Sequence, residues 1–152
     1  METPQFVYTT YIATTPEKLW EALTNPGFTE QYWSESRVQS DWTVGSPVRH
    51  MRGETLMIAG EVLVCDPPSH LAYTWSVRHI PGYANEPPSR VDFEIEPLGA
   101  DVRLTVTHRD LAPATLTLIS GGWPLVLSSL KSLLETGRAL HVMRLSGQIV
   151  TR

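Results

Sequence analysis

Cysteine is nearly absent. Cys65 stands alone in 152 residues, so no disulfide can form within the chain, and a reducing, cytoplasmic setting is expected. No run approaches the ~20 consecutive apolar residues that cross a bilayer. The opening residues, Met1-Glu2-Thr3-Pro4, lack the basic region and apolar core of a signal peptide. A basic stripe is also missing: the formal net charge is -4, and Arg37, Arg49, Arg52, Arg78, Arg90 and Arg103 are scattered. Nucleic-acid binding, an anionic membrane surface and membrane insertion are therefore not expected. The chain has no Gly-x-Ser-x-Gly elbow, no His-Glu-x-x-His and no glycine-rich phosphate loop followed by lysine. With 41% hydrophobic and 18% charged residues, it has the material for a buried core.

What is present is one strong helical stripe. Over residues 121–140, Trp123, Val126, Leu127, Leu130, Leu133 and Leu134 recur at the spacing of a helix with one buried face. Ser128, Ser129, Lys131, Ser132, Glu135 and Thr136 fall on the other side. Proline belongs in a first turn, so Pro124 predicts a start near Gly122 or Trp123, with Gly121-Gly122 as the helix entry. Gly137 predicts the stop.

The residues before it read as strands. Residues 5–13 carry Phe6, Tyr8, Thr10 and Ile12 on one face. Thr15-Pro16-Glu17 starts a helix with a short stripe of Leu19, Trp20 and Leu23, stopped by Asn25-Pro26-Gly27. A second short helix is predicted over residues 28–33. Weaker strands follow at 37–41 and 47–52, then a long one at 56–65 ended by Asp66-Pro67-Pro68. In 71–77, Leu71, Tyr73, Trp75 and Val77 face one way. Residues 80–89, with Pro81, Gly82, Pro87 and Pro88, form a loop. Val91, Phe93 and Ile95 point inward against Asp92, Glu94 and Glu96 outward. After a turn at Leu98-Gly99-Ala100-Asp101, Val102, Leu104, Val106 and His108 share a face, and Arg103 and Arg109 can pair with the acids opposite. Short hairpins imply antiparallel pairing. The expected fold is α+β: a curved antiparallel sheet of about six to seven strands wrapped around a long C-terminal helix, with two short helices after the first strand. Residues 1–152 read as one domain, with 141–152 a loosely packed tail.

In their order, several segments resemble the activator of heat-shock-chaperone ATPase homologue family of the START-like, or SRPBCC, superfamily. They are Thr15-Pro16-Glu17-Lys18-Leu19-Trp20, Gly60-Glu61-Val62 running to Asp66-Pro67-Pro68, Leu71-Ala72-Tyr73-Thr74-Trp75, Ser89-Arg90-Val91-Asp92-Phe93, Val106-Thr107-His108, and Gly122-Trp123 with residues 130–135. The resemblance covers roughly residues 6–140. It implies a helix-grip fold with a cavity between sheet and C-terminal helix. The superfamily includes lipid carriers, hormone receptors, polyketide cyclases and chaperone regulators. Its eukaryotic chaperone activators carry a large extra N-terminal domain that makes much of the chaperone contact. The first strand candidate here begins at residue 5, so chaperone binding is the least expected of these roles.

The large rings either fill the core or line a pocket for a flat or lipid-like ligand. Phe93 and Trp20 are expected in the core. Trp33, Trp42 and Trp75 are the better pocket candidates, since tryptophan seldom buries fully and its N–H wants a partner. Tyr73, Trp123 and His108 complete the expected ligand site. His108 lies on the apolar parity of its strand. A neutral imidazole there orients a ligand, acts as a general acid or base, or is a hydrogen-bonded core histidine. His50, His79 and His108 lie 29 residues apart in each step, which matches no metal motif, so no metal is expected. The parity of Arg49, Arg52, Glu54 and Arg78 is open; an inward arginine suits a carboxylate or phosphate, an outward one is a solvated charge. Cys65 has no evident base.

The leading expectation is a binding or carrier module for a small apolar ligand, aromatic or lipid-like, held between sheet and C-terminal helix and gated by residues 80–89. The second is a cofactor-independent enzyme of the polyketide cyclase or dehydratase kind, with His108 joined by Tyr73 or an inward arginine. The third is a chaperone-regulating interaction module. No cofactor is expected, and a homodimer is compatible with all three. A closed, well-filled interior favours the third reading, an apolar cavity the first, and a cavity where His108 meets a second polar group the second.

Overall fold

The computed structural model describes residues 4–141. Its first strand, β1 (Phe6–Ile12), alternates half-buried Phe6, Tyr8 and Thr10 with exposed Val7, Thr9 and Tyr11. Two helices follow, set by successive caps. The Thr15 hydroxyl accepts from the Lys18 N–H at 3.2 Å, and Pro16 fills the first position of α1 (Pro16–Thr24). Asn25 closes α1 and opens α2 (Pro26–Tyr32), its side chain accepting from the Gly27 N–H at 2.8 Å. That cap starts α2 slightly earlier than its bulky residues predict.

The remaining strands are β2 (Arg37–Ser40), β3 (Pro47–Arg52), β4 (Thr55–Asp66), β5 (His70–Val77), β6 (Ser89–Leu98) and β7 (Asp101–Arg109). They form one seven-stranded sheet in the order β1-β7-β6-β5-β4-β3-β2, antiparallel throughout. Strands β2 to β7 follow one another as a meander, and β1 lies beside β7, with Phe6 opposite His108 and Ile12 opposite Val102. Register shifts interrupt β4 on both sides, between Val62 and Val64 and opposite His50 and Met51. Such bulges bend a strand. A Cβ on Gly60 would sit 1.8 Å from the Thr74 carbonyl oxygen, so the bend requires glycine there.

The long helix, α3 (Pro113–Thr136), corrects the predicted start. It begins at Pro113, and Gly121, Gly122 and Pro124 lie inside it. Pro124 cannot donate to the Ser120 carbonyl, a fault that costs about 3 kcal/mol in an isolated helix. Burial of Thr115 and Ile119 before it, and of Trp123, Val126 and Leu127 around it, outweighs that fault. Leu130 and Leu133 are buried as the stripe predicts, while Leu134 is half-buried on its flank. Ser129, expected toward solvent, is buried: its hydroxyl accepts from the Leu140 N–H at 3.2 Å as the chain folds back past Gly137 (φ 84°). Of the two rings expected in the core, Phe93 is buried and Trp20 only half-buried. The tail expected over residues 141–152 lies outside the described residues apart from exposed His141.

Side chains take up a few backbone groups along both edges of the sheet. On β1, the Lys131 ammonium donates to the Tyr11 carbonyl at 2.6 Å, and the Glu135 carboxylate accepts from the Ala13 N–H at 2.8 Å. On β2, the Thr29 hydroxyl accepts from the Val38 N–H at 3.0 Å. On the outer face, Arg103 pairs with Glu96, as the register predicts. Asp92 also faces outward, yet it is buried, because His70 at 2.7 Å, Arg90 at 2.8 and 3.0 Å, and Arg109 at 3.8 Å cover it. Burial alone would raise its pKa; hydrogen bonds from Arg90 and His70, with the charges of Arg90 and Arg109, more than offset that and hold it below the usual carboxylate range. Among the described residues no helix is long and apolar enough to cross a membrane.

Leu130 is 0% exposed at the centre of the α3 face. Leu130→Ala should cost ~2–5 kcal/mol in urea unfolding; a loss within the ~0.5 kcal/mol of a surface change would refute this packing.

Candidate functional site

Strand alternation aims one side chain after another at α3. His50 comes from β3, Tyr73 and Trp75 from β5, Phe93 from β6 and His108 from β7, while Trp33 follows the last residue of α2 and Trp123 lies on α3. Their rings meet. Trp33 lies 4.9 Å from His50 and 5.4 Å from Trp123, centroid to centroid. Trp75 lies 5.0 Å from His50, 5.1 Å from His108 and 5.5 Å from Trp123. Tyr73 lies 6.0 Å from Phe93. These tilted and edge-on contacts are the favoured aromatic geometries.

Five of the six residues expected at a ligand site, Trp33, Tyr73, Trp75, His108 and Trp123, thus converge. Trp42 stands to one side. It meets the cluster through Tyr73 at 6.2 Å, and its indole N–H donates to the Thr24 carbonyl at 3.0 Å. His50 belongs to the cluster and was not expected there. Its shared parity with Val48, both buried, is the signal that places it.

His108 is 0% exposed and links three elements. The Trp123 N–H, a donor only, donates a hydrogen bond to His108 Nδ1 at 3.1 Å. A neutral ring then carries its hydrogen on Nε2 and donates to the Ser89 hydroxyl at 2.8 Å, and Ser89 donates to the Trp75 carbonyl at 3.3 Å. Both ring nitrogens are thereby used. Tyr73, its proposed partner, bonds instead to His50, whose Nε2 is 3.0 Å from the phenol oxygen. Burial lowers both histidine pKa values to about 3 and raises that of Tyr73. His79 lies apart, half-buried, with Nδ1 3.2 Å from the Met57 carbonyl oxygen.

One buried side-chain polar atom in the described residues lacks a partner: Trp75 Nε1, on a residue 6% exposed. The rings themselves occupy the space where the sequence predicts a cavity. Two open surface hollows lie elsewhere. One of about 710 Å³ is on the outer face of β1, β5, β6 and β7, and one of about 890 Å³ is beside the end of α3. The open arginine parities resolve: Arg49, Glu54 and Arg78 are exposed, and half-buried Arg52 shares the parity of Val48 and His50. Glu86, in the loop after β5, accepts from the Thr115 hydroxyl at 2.5 Å, which ties that loop to the first turn of α3.

A curved antiparallel sheet closed on a long C-terminal helix, with two short helices after its first strand, is the helix-grip fold. Residues 13–135 match the model of the family described as Activator of Hsp90 ATPase homolog 1-like protein, and the chain belongs to that family. Among solved structures it is similar to CalU16 from Micromonospora echinospora (19% identity, TM-score 0.71, covering 95% of this chain and 82% of that one). It is also similar to the Aha1 dimer from Colwellia psychrerythraea (18%, TM-score 0.73, 90% and 99%) and to an HSP90 activator from Plasmodium falciparum (21%, TM-score 0.73, 86% and 95%). At these identities the likeness concerns the fold. No curated protein matches the chain.

The buried histidines make stability depend on pH. Unfolded, each titrates near 6.5; folded, near 3. Between those values the unfolded chain binds more protons, so stability is complete above about pH 6.5 and falls as pH drops, by up to about 1.4 kcal/mol per pH unit for each histidine. Urea midpoints measured between about pH 6 and 4.5 should fall accordingly. His108→Gln keeps one donor and one acceptor and should remove roughly half of that slope. An unchanged slope in the variant would mean that His108 is not held neutral.

Proposed function

We propose that the chain is a binding or carrier module for a small, flat, apolar ligand that bears a hydrogen-bond acceptor. Its site is the aromatic cluster between the sheet and α3. The observation that carries this reading is Trp75 Nε1, a buried donor without a partner among the described residues. Leaving such a donor unmet costs about 1–3 kcal/mol, and a ligand oxygen reaching it would recover that. The surroundings suit a neutral body: Trp33, Trp123 and two uncharged histidines present ring faces and edges, and half-buried Trp33 stands on the solvent side. His108 has both nitrogens engaged by Trp123 and Ser89, which supports an architectural role over the proton shuttle of a cyclase-like enzyme.

The close ring packing favours a second reading, an interaction module acting on a chaperone, as the name of the similar HSP90 activator suggests. The dimer formed by the Colwellia relative makes a homodimer the assembly to look for in either case.

Tryptophan emission titrated with naphthalene and with 2-naphthaldehyde separates the readings. Binding beside Trp75 should give saturable quenching at micromolar concentration, ~-8 kcal/mol. Trp75→Phe, which removes the donor, should weaken the aldehyde by about tenfold and leave naphthalene unchanged. No saturable response across a broad aromatic panel would remove the ligand reading and leave the interaction reading.

A further inference from the structure

Three buried rings form one corner of the aromatic cluster. Tyr73 and Trp75 leave the same face of β5 and stack at 6.3 Å and 18°. His50 reaches them from β3, 5.8 Å from Tyr73 and 5.0 Å from Trp75, nearly perpendicular to the indole. Trp33 covers this corner. It lies 4.9 Å from His50 and 6.3 Å from Trp75, and unlike those two it is only half-buried.

The corner holds two hydrogens without acceptors. Uncharged, an imidazole carries one N–H and a phenol one O–H. Burial keeps both groups uncharged, lowering the His50 pKa to about 3 and raising that of Tyr73. Their shared bond, between Nε2 and the phenol oxygen at 3.0 Å, uses a single hydrogen whichever side donates. Neither side chain makes another hydrogen bond among the described residues, so the pair has one hydrogen left to give. Trp75 Nε1 carries the second. The other end of the cluster differs: His108 accepts from Trp123 and donates to Ser89, which leaves nothing over.

We infer that the ligand is a flat, uncharged aromatic compound with two carbonyl oxygens, one accepting from Trp75 Nε1 and one from the His50–Tyr73 pair. This rests on the binding reading above. His50 and Tyr73 are then specificity determinants, and the ligand's ring takes the place of Trp33 against His50 and Trp75. The two hydrogens come from rings whose centres lie 5.0 to 6.3 Å apart, which two oxygens on one ring system reach better than a single oxygen does. A hydroxyl would bring a further hydrogen into a corner that already has two in excess. A carboxylate would bring a charge into a layer where both histidines are neutral. A carbonyl brings acceptors alone.

Calorimetry with N-methyl-1,8-naphthalimide, which has two carbonyls, and phenalenone, a ring system of similar outline with one, tests this. The wild-type chain should bind the imide about tenfold or more tightly than phenalenone. His50→Leu combined with Tyr73→Phe removes both partners of the buried bond, leaves neither unmet, and should abolish that preference. Trp33→Ala, with the covering ring gone, should tighten both compounds. Thermal melts verify that each variant folds. Should the double variant fail to fold, infrared spectra of the imide bound to the wild type carry the comparison: both carbonyl bands should lie below their positions in dry hydrocarbon solvent. Equal affinities for the two compounds, a preference that survives the double variant, or an unshifted carbonyl band overturns the two-carbonyl ligand while the binding site stands. No binding of either compound, by the wild type or by Trp33→Ala, overturns the site and the ligand class together.

Discussion

The hydrogen bond from Trp123 to His108 is the point where helix and sheet become one structure. It fixes the rotation of α3, because Trp123 must face β7 for its N–H to reach Nδ1. It fixes the tautomer of His108, and through Nε2 it orders Ser89 on β6 and the Trp75 carbonyl on β5. A single neutral imidazole thus coordinates three strands and a helix inside an otherwise apolar layer. Buried hydrogen bonds of this kind confer geometry, since an unmet donor or acceptor in the same place would cost more than the bond contributes.

Most of this layer was legible from strand alternation. Period-two patterns in β1, β5, β6 and β7 put Tyr73, Trp75, Phe93 and His108 on one face, and each is buried there. What periodicity does not cover was not legible. Trp42 lies in the connection between β2 and β3 with φ 55°, where no repeat indicates a direction. His50 shares the parity of Val48, but one apolar neighbour on a six-residue strand is too weak a signal to set a direction. The start of α3 was hidden by Pro124, because a local rule about proline gives way to the burial of Trp123 and Val126 on either side. Asp92 was read correctly as outward, but its burial depends on three side chains from β5, β6 and β7 that only register brings together.

The site's chemistry follows from the same geometry. Rings in contact exclude water by touching one another, and Trp33 is the half-buried member of the cluster. Neutral histidines and an indole donor without a partner among the described residues leave the interior uncharged.

The backbone groups that side chains take up at the sheet edges bear on how copies of the chain meet. Lys131 and Glu135 occupy backbone groups at β1, and Thr29 occupies one at β2, a strand of only four residues. An open edge is a template onto which another chain can lay a strand, and repeated addition of that kind leads to fibres. With these backbone groups already spoken for by side chains, contact through faces is favoured over contact through edges. Where that contact uses the same face on both copies, the pair closes on itself and stops growing.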